Sequence, residues 1–101
     1  MQETFIGTRT CADEQDKRHT IHYWLLTQHI PIGRFTLEDY GITVEEEGGE
    51  RVCLPFITHS RSRIDALLTL LLEHVVTPLD LPDVVEDWAK ESRLPQGCGR
   101  R

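Results

Sequence analysis

A chain of 101 residues, with 39% hydrophobic and 28% charged residues, is long enough for one domain with its own core and too apolar to be disordered. Its net charge is −6 and its Lys and Arg residues are spread along the chain, which disfavours direct binding to nucleic acid. The most apolar stretch, residues 66–76, is shorter than the about 20 residues that a membrane span needs, so no membrane segment is expected.

The cysteines and the N-terminus bear on the compartment. Cys11, Cys53 and Cys98 are odd in number and lack a C-x-x-C pair, which argues against a disulfide framework and a structural zinc site. The first residues have neither the basic nor the apolar region of a secretion signal. We therefore expect a cytoplasmic protein in a reducing environment.

The first half of the chain predicts strands. Residues 3–11 and 20–27 are rich in β-branched and aromatic side chains and flank a polar segment, so we expect them to form a hairpin with a long loop. Residues 28–39 contain Pro31 and Gly33, which break strands, and they predict a second connection.

The segment from Tyr40 to Phe56 predicts a second hairpin, whose register follows from its side chains. A loop of two or four residues centred on Gly48 and Gly49 mixes apolar and polar residues on both faces. A three-residue loop, residues 47–49, separates them and puts glycine where a type I turn with a G1 bulge needs positive φ. The expected pairs are Val44 with Val52, Ile42 with Leu54 and Tyr40 with Phe56 on one face, and Glu45 with Arg51 and Thr43 with Cys53 on the other.

Two helices are predicted after the strands. Ser60 or Ser62 caps the first, and Pro82 and Asp83 suit the first turn of the second. Residues 93–101, with Pro, Gly and terminal arginines, are expected to form a flexible tail. Residues at helical spacing form the buried stripes: Ile64, Leu67, Leu68, Leu71, Leu72 and Val75 in the first helix, and Leu81, Val84, Val85 and Trp88 in the second.

This order of elements predicts a single α+β domain over residues 1–92. Strands followed by helices favour an antiparallel sheet with helices on one side. We expect a meander of three to four strands followed by two C-terminal helices packed on one sheet face. The other sheet face is then left without a helix.

Three segments, HYWLL, YGITVEE and ITHSRSRIDALLTLLLEHVVTPLDLPDVVEDWA, resemble an uncharacterised family of short clostridial-type proteins catalogued as domain of unknown function 6514. The similarity covers roughly residues 20–89. It lies in the Tyr-Gly-Ile strand, the serine-capped leucine helix, the Val-x-Pro-x-x-Leu elbow and the Asp-Val-Val/Ile-Glu-Asp-aromatic last helix. These are core and cap positions, so the resemblance implies the fold and brings no catalytic or binding residue.

Candidates for chemistry are few. Cys53 and His59 are six residues apart, but Cys53 is predicted in the middle of a strand, where a structural cysteine is the expectation. His19 and His22 fall on opposite faces of a strand, unlike the histidines of a helical metal motif, and His29 is expected on the surface or in a loop. We therefore expect no catalytic, cofactor-binding or metal-binding residue, and no enzymatic activity.

Apolar side chains on both faces of the strand at residues 20–27 suggest an interface. The helices cover one face, so either Tyr23 or Trp24 is expected on the uncovered face, and Leu70 lies off the leucine stripe. Uncovered aromatic and leucine side chains often mark an interface, unless the first strand, the long connection or the tail covers them. The sequence thus predicts a protein-binding domain in which Tyr23, Trp24 and Leu70 contact a protein partner or a second copy, with a homodimer through the open sheet face as the leading structural hypothesis.

Acidic residues are concentrated at the second hairpin and on the last helix. A solvated face, and charges that prevent unwanted strand pairing, explain most runs of this kind. The alternative function is an acidic inhibitor, encoded by a phage or mobile element, that binds a nucleic-acid-binding or defence protein by phosphate mimicry. The candidate residues are Glu45, Glu46, Glu47, Glu50, Asp83, Glu86 and Asp87.

Overall fold

The computed structural model describes the backbone of residues 1–93 and the side chains of residues 1–90. It shows the predicted α+β order, with four strands in one antiparallel sheet in chain order and two helices after them. The strands are β1 (Gln2–Ala12), β2 (Arg18–Ile32), β3 (Phe35–Glu46) and β4 (Arg51–Thr58), and the helices are α1 (Arg61–Glu73) and α2 (Leu81–Arg93). Apart from Arg93, which ends α2, the predicted tail lies outside the described residues.

The hairpin of β2 and β3 is longer than predicted. Residues 28–39 were expected to be a connection, but they continue both strands, and only Gly33 and Arg34 form the turn. Gly33 has φ of +60°, which glycine adopts without a steric penalty. Pro31 is tolerated because pairing with β1 ends at Thr27, so that Pro31 lies on a strand edge where no N–H is needed.

The hairpin of β3 and β4 has the predicted register over most of its length. Every residue from Ile42 to Glu45 has its expected partner on β4, and Gly48 in the loop has φ of +77°. The predicted pairing of Tyr40 with Phe56 is wrong, because Tyr40 lies opposite Thr58. The register shifts at this point, and Phe56 has φ of +60°, so β4 bulges locally.

The core lies between one face of the sheet, the core face, and the helices. Helix α1 contacts all four strands, and its cap is Ser60, whose Oγ accepts a hydrogen bond of 3.3 Å from the backbone N of Arg63. Within residues 1–93 no helix is long and apolar enough to cross a membrane. The buried core residues are Ile21, Tyr23, Leu25, Tyr40, Ile42, Val44, Ile64, Leu67, Leu68, Leu71, Val76 and Leu81, and the partly buried residues packed against them include Leu72, Val75, Val84, Val85 and Trp88.

Candidate protein-binding surface

The sheet face opposite the core, called the open face below, carries a row of side chains with one from each strand. The register places Phe5 of β1 opposite Trp24 of β2, Trp24 opposite Thr43 of β3, and Thr43 opposite Cys53 of β4. Thr43 is buried and Trp24 half-buried, whereas Phe5 is 55% exposed. An aromatic pair therefore lies at the surface, on a face where the described residues place no helix.

The indole of Trp24 is held by three neighbours. The ring of Phe5 meets it edge to face at a centroid separation of 5.8 Å, and the ring of His22 lies at 5.9 Å. The guanidinium of Arg51 lies 5.4 Å from the centre of the indole. Aromatic pairs and cation–π contacts at these distances are favourable, so Trp24 is positioned without any partner.

Ion pairs cross the open face beside this indole. Nη2 of Arg51 donates a hydrogen bond of 2.7 Å to Oε2 of Glu3, and its Nη1 donates one of 3.2 Å to Oε1 of Glu45. The hydroxyl of Thr43 also donates to Oε2 of Glu3, at 3.4 Å. The outward pair of Glu45 with Arg51 was expected, whereas the link to Glu3 joins the two edge strands. We call Glu3, Phe5, His22, Trp24 and Arg51 the Trp24 cluster.

Tyr23 does not belong to this surface. Its side chain is fully buried on the core face, and its hydroxyl donates a hydrogen bond of 2.8 Å to the carbonyl oxygen of Val76. Burial raises the pKa of Tyr23 to about 12. The prediction of Tyr23 as an interface residue is therefore wrong, because the alternation of β2 turns it towards the helices while Trp24 takes the uncovered face.

Leu70 lies on the helix side of the molecule. It is half-buried and lines a shallow groove of about 180 Å³ together with Val84, Asp87 and Trp88 of α2. The guanidinium of Arg63 lies 4.7 Å from the ring centre of Trp88 at the same helix pair. The structure therefore does not bring Leu70 together with Trp24.

The four candidate glutamates at the β3–β4 turn are largely paired. A hydrogen-bonded or ion-paired carboxylate is less available to a partner, because that partner must displace the existing contact. Only Glu50 lacks such a contact among the side chains that the structure describes. The pairs are Glu45 with Arg51, Glu46 with His19 at 2.6 Å, and Glu47 with His22 at 3.3 Å.

The acidic residues of α2 are exposed. Asp83 lies in the first turn, where the helix dipole favours a negative charge, and Glu86 pairs with Lys90 at 3.1 Å. Asp87 lines the groove beside Leu70. Each of the three thus has an ordinary structural explanation.

His19 lies between two carboxylates at one end of the sheet. Its Nε2 is 3.0 Å from Oδ2 of Asp13, and its Nδ1 is 2.6 Å from Oε2 of Glu46. These hydrogen bonds, Asp13 first, raise the pKa of His19, and the same contact lowers the pKa of Asp13. The arrangement ties the β1–β2 loop to β3 through the imidazole of His19. Among the residues with described side chains, no group of three or more His, Cys, Asp or Glu residues is arranged to hold a metal ion.

The cysteines with described side chains are both free thiols. Cys53 lies in the middle of β4, opposite Thr43 as expected, and is exposed. His59 follows β4, and its Nδ1 lies 3.8 Å from Oδ1 of Asp39. The structure therefore places His59 against a carboxylate, and Cys53 in a strand pair on the open face.

Some surface residues were missed in the sequence. Ile32 and Phe35 lie opposite each other at the tip of the β2–β3 hairpin and are 55% and 77% exposed. Pro31 and Gly33 in this segment favoured a connection over strands. The alternation of apolar residues on both sides of the turn was nevertheless a signal for two strands. Phe5 was also missed, because a register shift between Phe5 and Gly7 interrupts the alternation of β1.

A family model described as a family of unknown function (DUF6514) matches residues 2–91 of the chain. The match runs from the start of β1 into the last turn of α2. No curated protein and no solved structure gives a significant match.

Proposed function

Because the chain belongs to the family of unknown function DUF6514, we propose a function from its own surface: it is a small non-enzymatic protein-binding domain that contacts its partner with the Trp24 cluster. The observation that carries the proposal is the packing of Phe5 and Arg51 around Trp24. Tryptophan and arginine are favoured anchors of protein interfaces. A side chain that is already positioned loses less conformational entropy when a partner binds.

The polar groups around the indole also suit an interface. Arg51 already has two carboxylate partners, Glu3 and Glu45, so a partner protein need not supply a buried countercharge. The exposed ring of Phe5 offers apolar area beside them. The partner, another protein or a second copy of the chain, is expected to cover Phe5 with apolar side chains.

The test is affinity capture from lysate of the source cell with two matched variants. Phe5→Ser removes the exposed ring of the Trp24 cluster, and Phe35→Ser removes an exposed ring at the hairpin tip. We expect the parent and Phe35→Ser to recover a partner whose binding persists at moderate salt concentration. Phe5→Ser is expected not to recover it. Equal recovery by both variants, each folded by circular dichroism, would show that the cluster is not the contact surface.

The alternative proposal is the acidic inhibitor that mimics phosphates. It has less support, because Glu45, Glu46 and Glu47 already have partners of their own. A triple variant of these residues to Gln distinguishes the two proposals. Recovery of a nucleic-acid-binding protein by the parent alone, and only at low salt, would favour mimicry, since screening weakens charge contacts and spares apolar ones.

We also propose that the protein works in the cytoplasm of a clostridial-type cell. The free thiols of Cys11 and Cys53 support a cytoplasmic location, because reducing conditions keep thiols unpaired. The proposed cell type is supported only by the resemblance of three sequence segments to the clostridial-type family. Fractionation of source cells tests the location, and recovery from the medium would contradict it.

A further inference from the structure

The imidazole of His22 lies on the open face and contacts both the aromatic and the charged side chains around Trp24. Its ring centre is 5.9 Å from that of Trp24 and 6.3 Å from that of Phe5. Its Nδ1 lies 2.9 Å from Oγ1 of Thr8, and its Nε2 lies 3.3 Å from Oε2 of Glu47. The imidazole thus joins the aromatic pair to a carboxylate at the β3–β4 turn.

The two hydrogen bonds of His22 can form whether its imidazole is neutral or charged. A neutral imidazole with its proton on Nε2 donates to Glu47 and accepts at Nδ1 from the hydroxyl of Thr8. A charged imidazole donates from both nitrogens, and the hydroxyl of Thr8 then accepts, because a hydroxyl can do either. The ring can therefore gain a proton from the solvent without moving.

The surroundings of His19 differ from those of His22. Both ring nitrogens of His19 face carboxylates, those of Asp13 and Glu46, and an ionised carboxylate only accepts hydrogen bonds. These two acceptors favour the charged imidazole, which has an N–H on each nitrogen, and they raise the pKa of His19. His22 has a carboxylate at one nitrogen only, and the hydroxyl at its other nitrogen accommodates both charge states.

The charged groups around His22 leave a proton at this site balanced only in part. Arg51 engages both Glu45 and Glu3, so Glu47 is the carboxylate that remains for the imidazole. The side chain of Glu47 is 70% exposed, and water screens its contact with the ring. The charged groups that face His22 are Glu3 of β1, Glu45 of β3, Glu47 of the β3–β4 turn and Arg51 of β4.

We propose that His22 makes the Trp24 cluster sensitive to pH: a proton gained by its imidazole places a positive charge against the rings of Trp24 and Phe5 and weakens the docking of an apolar partner. A partner that covers these rings also removes water from the imidazole, and this costs more free energy for the charged form than for the neutral one. Binding therefore weakens as pH falls from about 8 to 5, where histidines ordinarily gain a proton. The effect on binding rests on the proposed function, whereas the change of charge beside the indole does not.

The first test follows the fluorescence of Trp24 and needs no partner. The chain has two tryptophans, so a Trp88→Phe background leaves Trp24 as the only source of tryptophan emission. A charged imidazole beside an indole quenches this emission more than a neutral one does. We expect the emission to fall from about pH 8 to 5 in this background, and to stay level when His22→Gln is added.

His29→Gln is the matched control for this titration. His29 lies on the same strand and pairs with Glu38 at 3.0 Å, but it does not belong to the Trp24 cluster. Its substitution should leave the fall in emission in place, with circular dichroism checking that each chain stays folded over the range. No fall in the background, or the same fall with His22→Gln, would overturn the proposal.

The second test repeats the affinity capture at the two ends of this pH range. We expect the parent and His29→Gln to recover at least about fivefold less partner at the acidic end, since the coupling between two bound ligands, here a proton and a protein, is typically at least this large. The ratio of the two recoveries should approach one for His22→Gln, whatever its absolute recovery. The same ratio in all three chains would overturn the effect on binding. Recovery of no partner at either pH would contradict the proposed function, and the effect on binding with it, while the fluorescence result would stand.

Discussion

The carboxylate of Glu3, on the first strand, accepts a hydrogen bond of 2.7 Å from the guanidinium of Arg51, on the fourth. The two residues are 48 positions apart in the chain and belong to the two edge strands of the sheet. Arg51 also lies over the ring of Trp24. A single ion pair thus connects the outer strands across the surface that we propose as a binding site.

Glu3→Gln tests the strength of this link. The variant is expected to lose about 0.2–1 kcal/mol of unfolding free energy at low salt, because both charged side chains are partly exposed and water screens the pair. The loss should shrink at high salt. Urea denaturation at two salt concentrations measures it, with the exposed loop residue Glu14 changed to Gln as the control. A loss that does not change with salt would contradict an electrostatic origin.

Gly41→Ala is expected to destabilise the fold strongly. A Cβ at Gly41 would overlap the carbonyl oxygen of Leu54 and lie 2.6 Å from Cα of Pro55, because the bulged part of β4 passes close to β3 here. Both clashing atoms belong to the backbone, so the clash can be removed only by a shift of β4. We expect the free energy of unfolding to fall by about 1–3 kcal/mol or more.

Gly49→Ala is the matched control for that experiment. Its Cβ would meet only side-chain atoms of Glu46, at 3.5 Å or more, which is an ordinary contact. Chemical denaturation of both variants should therefore separate them clearly. Equal stability of Gly41→Ala and Gly49→Ala would show that β4 does not approach β3 closely at this position.

The imidazole of His19 should make stability depend on pH. Its pKa is raised above the ordinary 6.5 by Asp13 and Glu46, so its contribution is complete below pH 6.5 and is lost as pH rises through the raised value. The pKa of Asp13 is lowered from 3.8, so its contribution is complete above pH 3.8 and is lost as pH falls through the lowered value. Both contributions are therefore present between pH 3.8 and 6.5.

His19→Gln tests this dependence. The difference in Tm between parent and variant should be widest between pH 3.8 and 6.5 and should narrow at alkaline pH. Thermal unfolding of parent and variant, followed by circular dichroism from acidic to alkaline pH, measures the difference in Tm. A difference that grows as pH rises above 6.5 would show that the neutral imidazole, and not the charged one, stabilises the fold.

Tyr23→Phe tests the buried contact between β2 and the segment after α1. Without the hydroxyl, the carbonyl of Val76 loses its hydrogen bond of 2.8 Å inside the core. A buried carbonyl without a partner costs about 1–3 kcal/mol, and we expect that loss in urea denaturation. An unchanged midpoint would mean that water reaches Val76 and replaces the hydroxyl.

The ionisation of Tyr23 gives an independent measurement. The chain has two tyrosines, so in a Tyr40→Phe variant the absorbance change on ionisation reports Tyr23 alone. Because burial raises the pKa of Tyr23 to about 12, ionisation is expected well above the ordinary value of 10. A transition near pH 10 with the fold intact would show that the side chain is accessible to water.

The sequence patterns that predicted the structure correctly are local ones. Ser60 as a helix cap, the apolar stripe of α1 and the pairing of Val44 with Val52 each depend on residues close together in the chain. The sequence does not predict the long β2–β3 hairpin, because Pro31 and Gly33 usually break strands. Proline is excluded from a strand only where a neighbouring strand would accept a hydrogen bond from a backbone N–H at that position. Pairing of β2 with β1 stops at Thr27, so Pro31 has no such neighbour on that edge.

The order of the elements, the alternation of the strands and the register at the β3–β4 turn could be predicted from the sequence, since they follow from residue spacing and turn chemistry. The face of β2 that the helices cover depends on how the helices pack on the sheet, and this packing places Tyr23 in the core and Trp24 on the open face. Alternation states which residues share a face but not which face is buried. The bulge between Phe5 and Gly7, and the contact of Glu3 with Arg51, depend on strands that are distant in the chain, and no local pattern encodes them.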